Sequence, residues 1–186
     1  MIQRAYETTP PAQWEHWVRY DNDFEKKRTS RVHLSREWLE LLAQLGSHRI
    51  TERFGIAGLK ADFSLHGGGC HVVDPGGYLA PHLDYALHPV SFLERRINLV
   101  LFCNPDWSPS WGGALEFYGQ DGTTIVRRFE PVFGRMVAWE ATDHLFHGTQ
   151  AVAPDAQPRV TAAVYFLAPP RPGVIRQRAL FVPRRA

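Results

Sequence analysis

In the segment YLAPHLDY, His82 and Asp84 stand two residues apart within a run of strand-forming residues. Side chains alternate between the faces of a strand, so an imidazole and a carboxylate at i and i+2 point the same way. Such a pair suits a divalent first-row metal. A second histidine from another strand would complete the facial set of two His and one carboxylate that leaves positions open on Fe(II). Of the nine histidines, His147 in DHLFHGTQAV is best placed, 63 residues after Asp84 and beside an expected strand. His144, three residues earlier, competes for that role and is read as an exposed histidine or as a hydrogen-bonded neighbour of the site. His66, His71 and His88 are read as structural or loop histidines. An isolated H-x-D is a common chance pattern, so its weight depends on what accompanies it.

What accompanies it is an arginine. Arg159, 12 residues after His147, shares a face of the run RVTAAVYF with Thr161, Ala163 and Tyr165. A guanidinium turned into a protein interior is costly unless it meets a planar anion. Its fork matches a carboxylate bidentately, and a threonine hydroxyl can add one more hydrogen bond. Taken alone, Arg159 would be an ordinary surface residue at the start of a strand; the His82, Asp84 and His147 set favours the buried reading.

Strands must hold these groups, and the chain supplies them from about Gly69 onward. CHVV, GGYLAPHLD, RINLVLFCN, GALEFYG, TTIVRRF, RMVAWE and RVTAAVYFLA are short β-type runs bounded by Gly, Pro, Asp and Asn. Residues 1–60 read as helical. SREWLELLAQLGS is the clearest case, with Ser35 as cap, Trp38, Leu41, Leu42 and Leu45 at helical spacing, and Gly46 as stop. Further helices are expected around Ala12 to Tyr20 and His48 to Phe54. The expected fold is therefore mainly β with N-terminal helices, a sandwich or jelly roll in a single domain, since a parallel α/β sheet would need helices between the strands. Pro169, Pro170 and Pro172 end the last strand, so the core spans residues 61–168 and a basic extension covers 169–186.

Composition narrows the function classes. With 186 residues and 44% hydrophobic side chains, the chain is one folded domain and neither disordered nor fibrous. Two cysteines, Cys70 and Cys103, leave no disulfide framework and no iron–sulfur or multi-cysteine zinc site. No apolar run is long enough to cross a bilayer and no secretory signal is evident, so a soluble, cytoplasmic protein is expected. The net charge of +2 hides a basic tail. Residues 171–186 carry five arginines and no acid, and the remainder is −3. No stacking aromatics alternate with those arginines, so the tail is read as a solvated extension and no nucleic-acid partner is expected.

From Gly69 to Ala168 the chain resembles the 2-oxoglutarate/Fe(II)-dependent oxygenases, specifically the prolyl-hydroxylase-like branch. The features come in that family's order: His82-Leu83-Asp84, then RRINLVLFCNPDW followed by WGGALEFYG, then RMVAWEATDHLFHGTQAV, then Arg159-Val160-Thr161. The resemblance implies a double-stranded β-helix (jelly roll) with His82, Asp84 and His147 as iron ligands, and Arg159, helped by Thr161, gripping the distal carboxylate of 2-oxoglutarate. It implies a hydroxylase using Fe(II), 2-oxoglutarate and O2 and releasing succinate and CO2. Its substrate would be a peptidyl, prolyl-like group or a small molecule. A retained Asp84 favours hydroxylation over halogenation, for which relatives carry a small residue there.

One departure stands out. Members of this branch often carry a tyrosine where Phe102 lies, and its hydroxyl assists the co-substrate; phenylalanine cannot. Tyr78, four residues before His82 and on the same face of a regular strand, and Asn98 are candidate substitutes. Gly67, Gly68, Gly69, Gly76 and Gly77 read either as a backbone-lined entrance or as tight turns. Trp107, Trp111, Gly112 and Gly113 resemble a family turn. The competing reading is a cupin-like metal-binding jelly roll without 2-oxoglutarate turnover, and Arg159 separates the two. A third, a non-enzymatic binding module, predicts no metal affinity.

Overall fold

The computed structural model describes residues 14–16, 23–29 and 34–182. Its first elements are strands: β1 (Trp14–His16) pairs antiparallel with β2 (Asp23–Thr29), which pairs in turn with β4 (Gly69–Leu83). The helix expected around Ala12 to Tyr20 is thus corrected at Trp14–His16, and the other residues of that stretch lie outside the described ones. Backbone pairing along an open strand outweighs a local preference worth only tenths of a kcal/mol per residue.

The helix at Ser35 is as expected. In α1 (Arg36–Leu45), the Ser35 hydroxyl caps the Trp38 N–H, the Gly46 N–H returns to Leu42, and Trp38, Leu42 and Leu45 are buried. A short α2 (His48–Thr51) runs into a 3-10 turn, Glu52–Phe54.

The remaining strands are β3 (Lys60–Ala61), β5 (Glu94–Phe102), β6 (Leu115–Tyr118), β7 (Ile125–Phe129), β8 (Met136–Glu140), β9 (Phe146–Thr149), β10 (Arg159–Ala168) and β11 (Leu180–Phe181). Their main order is β7-β6-β9-β4-β10-β5-β8, and the pairings are antiparallel. Although β6 and β8 lie near opposite ends of that order, the rings of Phe117 on β6 and Trp139 on β8 are 5.2 Å apart. The sheet therefore curls until its ends meet, giving a nearly closed jelly-roll barrel.

Two cores result. Outside, α1 covers Cys70 and Val72 of β4, Ile97, Leu99 and Leu101 of β5, and Val160, Ala162, Val164 and Phe166 of β10. Inside, Phe102, Leu115, Phe117 and Val137 form a second cluster, with Trp139 and Leu145 against it. Alternation along β10 explains the split: its even-numbered residues feed the outer core, leaving Arg159, Thr161, Ala163 and Tyr165 for the inner face.

The described part of the C-terminal segment is mostly exposed, yet two of its arginines tie it to the barrel. Arg171 binds buried Glu94 through its backbone N–H and guanidinium and also reaches Glu140. Arg176 pairs with Asp143, and β11 joins the sheet beside His82 and Leu83. Acids distant in sequence draw in a segment that has none of its own. Among the described residues, no helix is long and apolar enough to cross a membrane.

Candidate metal centre

β4 and β9 bring the metal-binding candidates together by direct pairing, with His82 opposite His147. One ligand atom from each of His82, Asp84 and His147 lies within 4.8 Å of the others. Asp84 Oδ1 is 3.6 Å from His82 Nε2, and Asp84 Oδ2 is 3.3 Å from His147 Nε2. The imidazole centroids are 4.4 Å apart.

Each ring is held from behind. His82 Nδ1 is 2.9 Å from the Ala80 carbonyl, so a proton on Nδ1 leaves Nε2 with its lone pair turned to the site. Phe181 of β11 stacks on His82 at 4.9 Å, and Trp139 meets His147 edge-on at 5.0 Å. His147 Nδ1 is buried without a hydrogen-bond partner among the described residues.

Electrostatics suit ligation. Burial alone would raise the Asp84 carboxyl, but the charge of Arg95 and its interactions with His147 and His82 hold it well below the usual range. Burial pushes His147 down to about 4, overriding the opposing pull of Asp84. A carboxylate and a neutral imidazole are the forms a metal needs. Two imidazoles and one carboxylate match the facial set for non-haem Fe(II), so the residues present fit that ion.

Arg159 also sits where the inner face puts it. Only 4% of its surface is exposed, and no carboxylate pairs with it among the described residues. Nε donates to the Gly113 carbonyl at 2.5 Å, and the guanidinium lies 5.0 Å above Phe102. Burial lowers it to about 10. The same apolar cluster that holds Phe102 contains Phe117, whose ring is 6.3 Å from His147, so Arg159 and the metal candidates bound one interior. Gly113, with φ +71°, permits the close approach: a Cβ there would lie 3.0 Å from Arg159 Cδ and from Trp107. Thr161 is buried on the same strand face.

The substitutes for the missing tyrosine fare differently. Asn98 is fully buried and reaches the site, where its Nδ2 donates to Asp84 Oδ2 at 2.8 Å and its Oδ1 accepts from Arg95 Nε at 2.6 Å. Tyr78 departs from the expected geometry because β4 is not regular there. Leu79 faces Thr149 and His82 faces His147, so three residues of β4 span two of β9. This bulge, which accommodates Pro81, puts Leu79 rather than Tyr78 on the face of His82. His144 is exposed. His88 is buried beside Asp62 and Ser64, and the His66 ring packs on Tyr85 and His88. Sequence reasoning missed Arg95, Arg176 and Phe181. Arg95 forms an ion pair with Asp84 at 3.1 Å, and Arg176 donates to the Asp84 carbonyl. No local signal marked the first, since Arg95 stands between Glu94 and Arg96 at the charged start of its strand.

Residues 68–167 match the family described as the 2OG-Fe(II) oxygenase superfamily. Prolyl 3-hydroxylase OGFOD1 of Xenopus laevis is 32% identical over 76 residues, which cover 39% of this chain and only 15% of that protein. A Pseudomonas putida prolyl-4-hydroxylase has the same fold, with a TM-score of 0.64 at 19% identity over 91% of this chain and 84% of that one. A Trichoplax adhaerens prolyl hydroxylase, solved with a hypoxia inducible factor peptide fragment, has a TM-score of 0.59 at 16% identity, covering 90% and 74% respectively.

Proposed function

This chain belongs to the 2OG-Fe(II) oxygenase superfamily, and from that premise we propose that it is a 2-oxoglutarate-dependent hydroxylase that oxidises a prolyl or similar amino-acyl C–H bond of a peptide. In this reading His82, Asp84 and His147 hold Fe(II), while Arg159 and Thr161 receive the distal carboxylate of 2-oxoglutarate. The observation that carries it is the convergence of the three ligand atoms within 4.8 Å, in an interior shared with a buried arginine that has no acid partner among the described residues.

Bound iron and 2-oxoglutarate supply the O2 activation that oxidises the substrate, with succinate and CO2 as co-products. The chain's own residues position and protect. Arg159 is held ready by Gly113, so a dicarboxylate meets a guanidinium whose burial cost is already met by the fold. Phe102 contributes an apolar wall there, and Thr161 a hydroxyl. Beside His147 and Asp84, a small cavity has a mixed lining, apolar at Trp139, Leu145 and Val174 and charged at Glu94, Arg171 and Arg176, which suits a small group that carries polar neighbours, as a residue within a peptide does. The likeness to prolyl hydroxylases favours an amino-acyl group as that occupant. The buried free thiols Cys70 and Cys103 suit a reducing compartment, and we read the protein as cytoplasmic.

The test is incubation with Fe(II), 2-oxoglutarate, O2 and a panel of proline-containing peptides. Succinate and a peptide heavier by one oxygen atom are expected, and both should vanish in His147→Ala. Succinate without any oxidised peptide would remove the amino-acyl substrate from this reading.

A further inference from the structure

Arg95 has only 3% exposure, and burying a guanidinium demands a reason. Its face is packed 3.3 Å from the Tyr165 ring and 4.7 Å from Tyr85. Those tyrosines are themselves fixed, Tyr85 donating to the His66 carbonyl and Tyr165 to that of Gly67. Two directed contacts leave this aromatic seat: Nε to Asn98 Oδ1 at 2.6 Å and Nη2 to Asp84 Oδ2 at 3.1 Å. Asn98, thereby oriented, donates its own Nδ2 to the same Oδ2 at 2.8 Å.

One carboxylate oxygen thus takes both a hydrogen bond from Asn98 and the ion-pair contact of the Arg95 guanidinium, and these compete for its two lone-pair positions. Oδ1 of the same carboxylate takes neither contact and lies 3.6 Å from His82 Nε2, while Oδ2, though held by both, is 3.3 Å from His147 Nε2. We propose that Arg95 and Asn98 are positioning residues that occupy Oδ2 of Asp84 and so make it a one-oxygen metal ligand through Oδ1, keeping the remaining positions open for co-substrate and O2. This rests on the metal-site reading above. It also gives Asn98 a role at the ligand carboxylate rather than at 2-oxoglutarate.

The test uses Co(II) with the apo-protein, reading affinity and the metal-induced infrared difference spectrum. The separation of the two carboxylate stretches is wide for one-oxygen binding and narrows when both oxygens bind. Wild type should show the wide separation. Arg95→Met and Asn98→Ala should narrow it and weaken Co(II) binding by roughly 10- to 100-fold, the range typical for groups that orient metal ligands. Arg95→Lys, which keeps a donor within reach of Oδ2, should recover most of the affinity. Asn98→Ala retains the buried ion pair and remains informative if Arg95→Met does not fold. An unchanged infrared separation in folded Asn98→Ala would overturn the proposal. So would tighter binding in Arg95→Met, which is the sign expected if Arg95 acted only as a nearby positive charge. Absence of Co(II) binding by wild type, or binding unaffected by His82→Ala, would defeat the metal-site reading itself and this proposal with it.

Discussion

Replacing Arg159 with methionine should separate co-substrate binding from stability. The guanidinium is held in the interior without an acid partner among the described residues, and burial lowers it from 12.5 to about 10. That drop, at roughly 1.4 kcal/mol per pKa unit, puts the cost of the buried cation at about 3 kcal/mol. Methionine removes the cost, fills similar space and loses the hydrogen bond to Gly113, which is worth about 1 kcal/mol plus the penalty of an unsatisfied carbonyl. With that penalty at roughly 1–3 kcal/mol, the apo-variant should lie within about 1 kcal/mol of wild type in either direction, as for many buried charges exchanged for apolar side chains. Binding should change far more. Loss of one partner of a buried charged pair costs about 2–5 kcal/mol, so the Kd for 2-oxoglutarate should rise at least 30-fold. Denaturant unfolding of the apo-protein and anaerobic 2-oxoglutarate titration of the metal-loaded protein read the two effects separately. Unchanged 2-oxoglutarate affinity in a folded variant, or a stability loss above about 2 kcal/mol, would make Arg159 a structural residue and refute the reasoning.

Further outcomes follow from the same geometry. His147 is held neutral in the fold at about 4 against 6.5 in the unfolded chain, so the unfolded state takes up the proton first. Stability of the apo-protein should be full above about pH 6.5 and fall toward pH 4 by up to about 3 kcal/mol, a slope that His147→Gln should largely remove in pH-dependent denaturation. Below that range, protonation of Asp84, whose carboxyl is held low by Arg95 against the effect of burial, adds a further loss. Gly113→Ala introduces a Cβ at φ +71° and 3.0 Å from Arg159 Cδ, and should weaken 2-oxoglutarate binding about tenfold while costing about 1–2 kcal/mol in unfolding experiments. Trp38→Ala empties the centre of the outer core, where the indole is 1% exposed, and should cost about 3–5 kcal/mol without altering metal affinity in the folded fraction.

How much of this was legible follows from the range over which each signal acts. His82 and Asp84 could be paired from alternation alone because two residues of one strand suffice, and Arg159 with Thr161 likewise. His147 required the order of several segments, and its pairing opposite His82 became visible only with the sheet. Tyr78 failed the strand rule because a bulge at Pro81 shifts the face by one residue, and nothing nearby in sequence sets that register. The ion pairs of Arg171 and Arg176 were hidden because the groups that bind them, Glu94, Glu140 and Asp143, lie tens of residues away and show no local pattern. Arg95 was hidden for the same reason: its meaning depends on Asp84 across the fold and on two tyrosines from separate segments.

The central claim is that His82, Asp84 and His147 hold one ferrous ion to which 2-oxoglutarate binds under the reach of Arg159. Anaerobic addition of Fe(II) and 2-oxoglutarate, followed by visible absorption, tests it most directly. A weak charge-transfer band should appear in wild type, disappear in His82→Ala and His147→Ala, and require far more 2-oxoglutarate in Arg159→Met. A wild-type protein that shows no band, or a band that survives the loss of His147, would contradict the account.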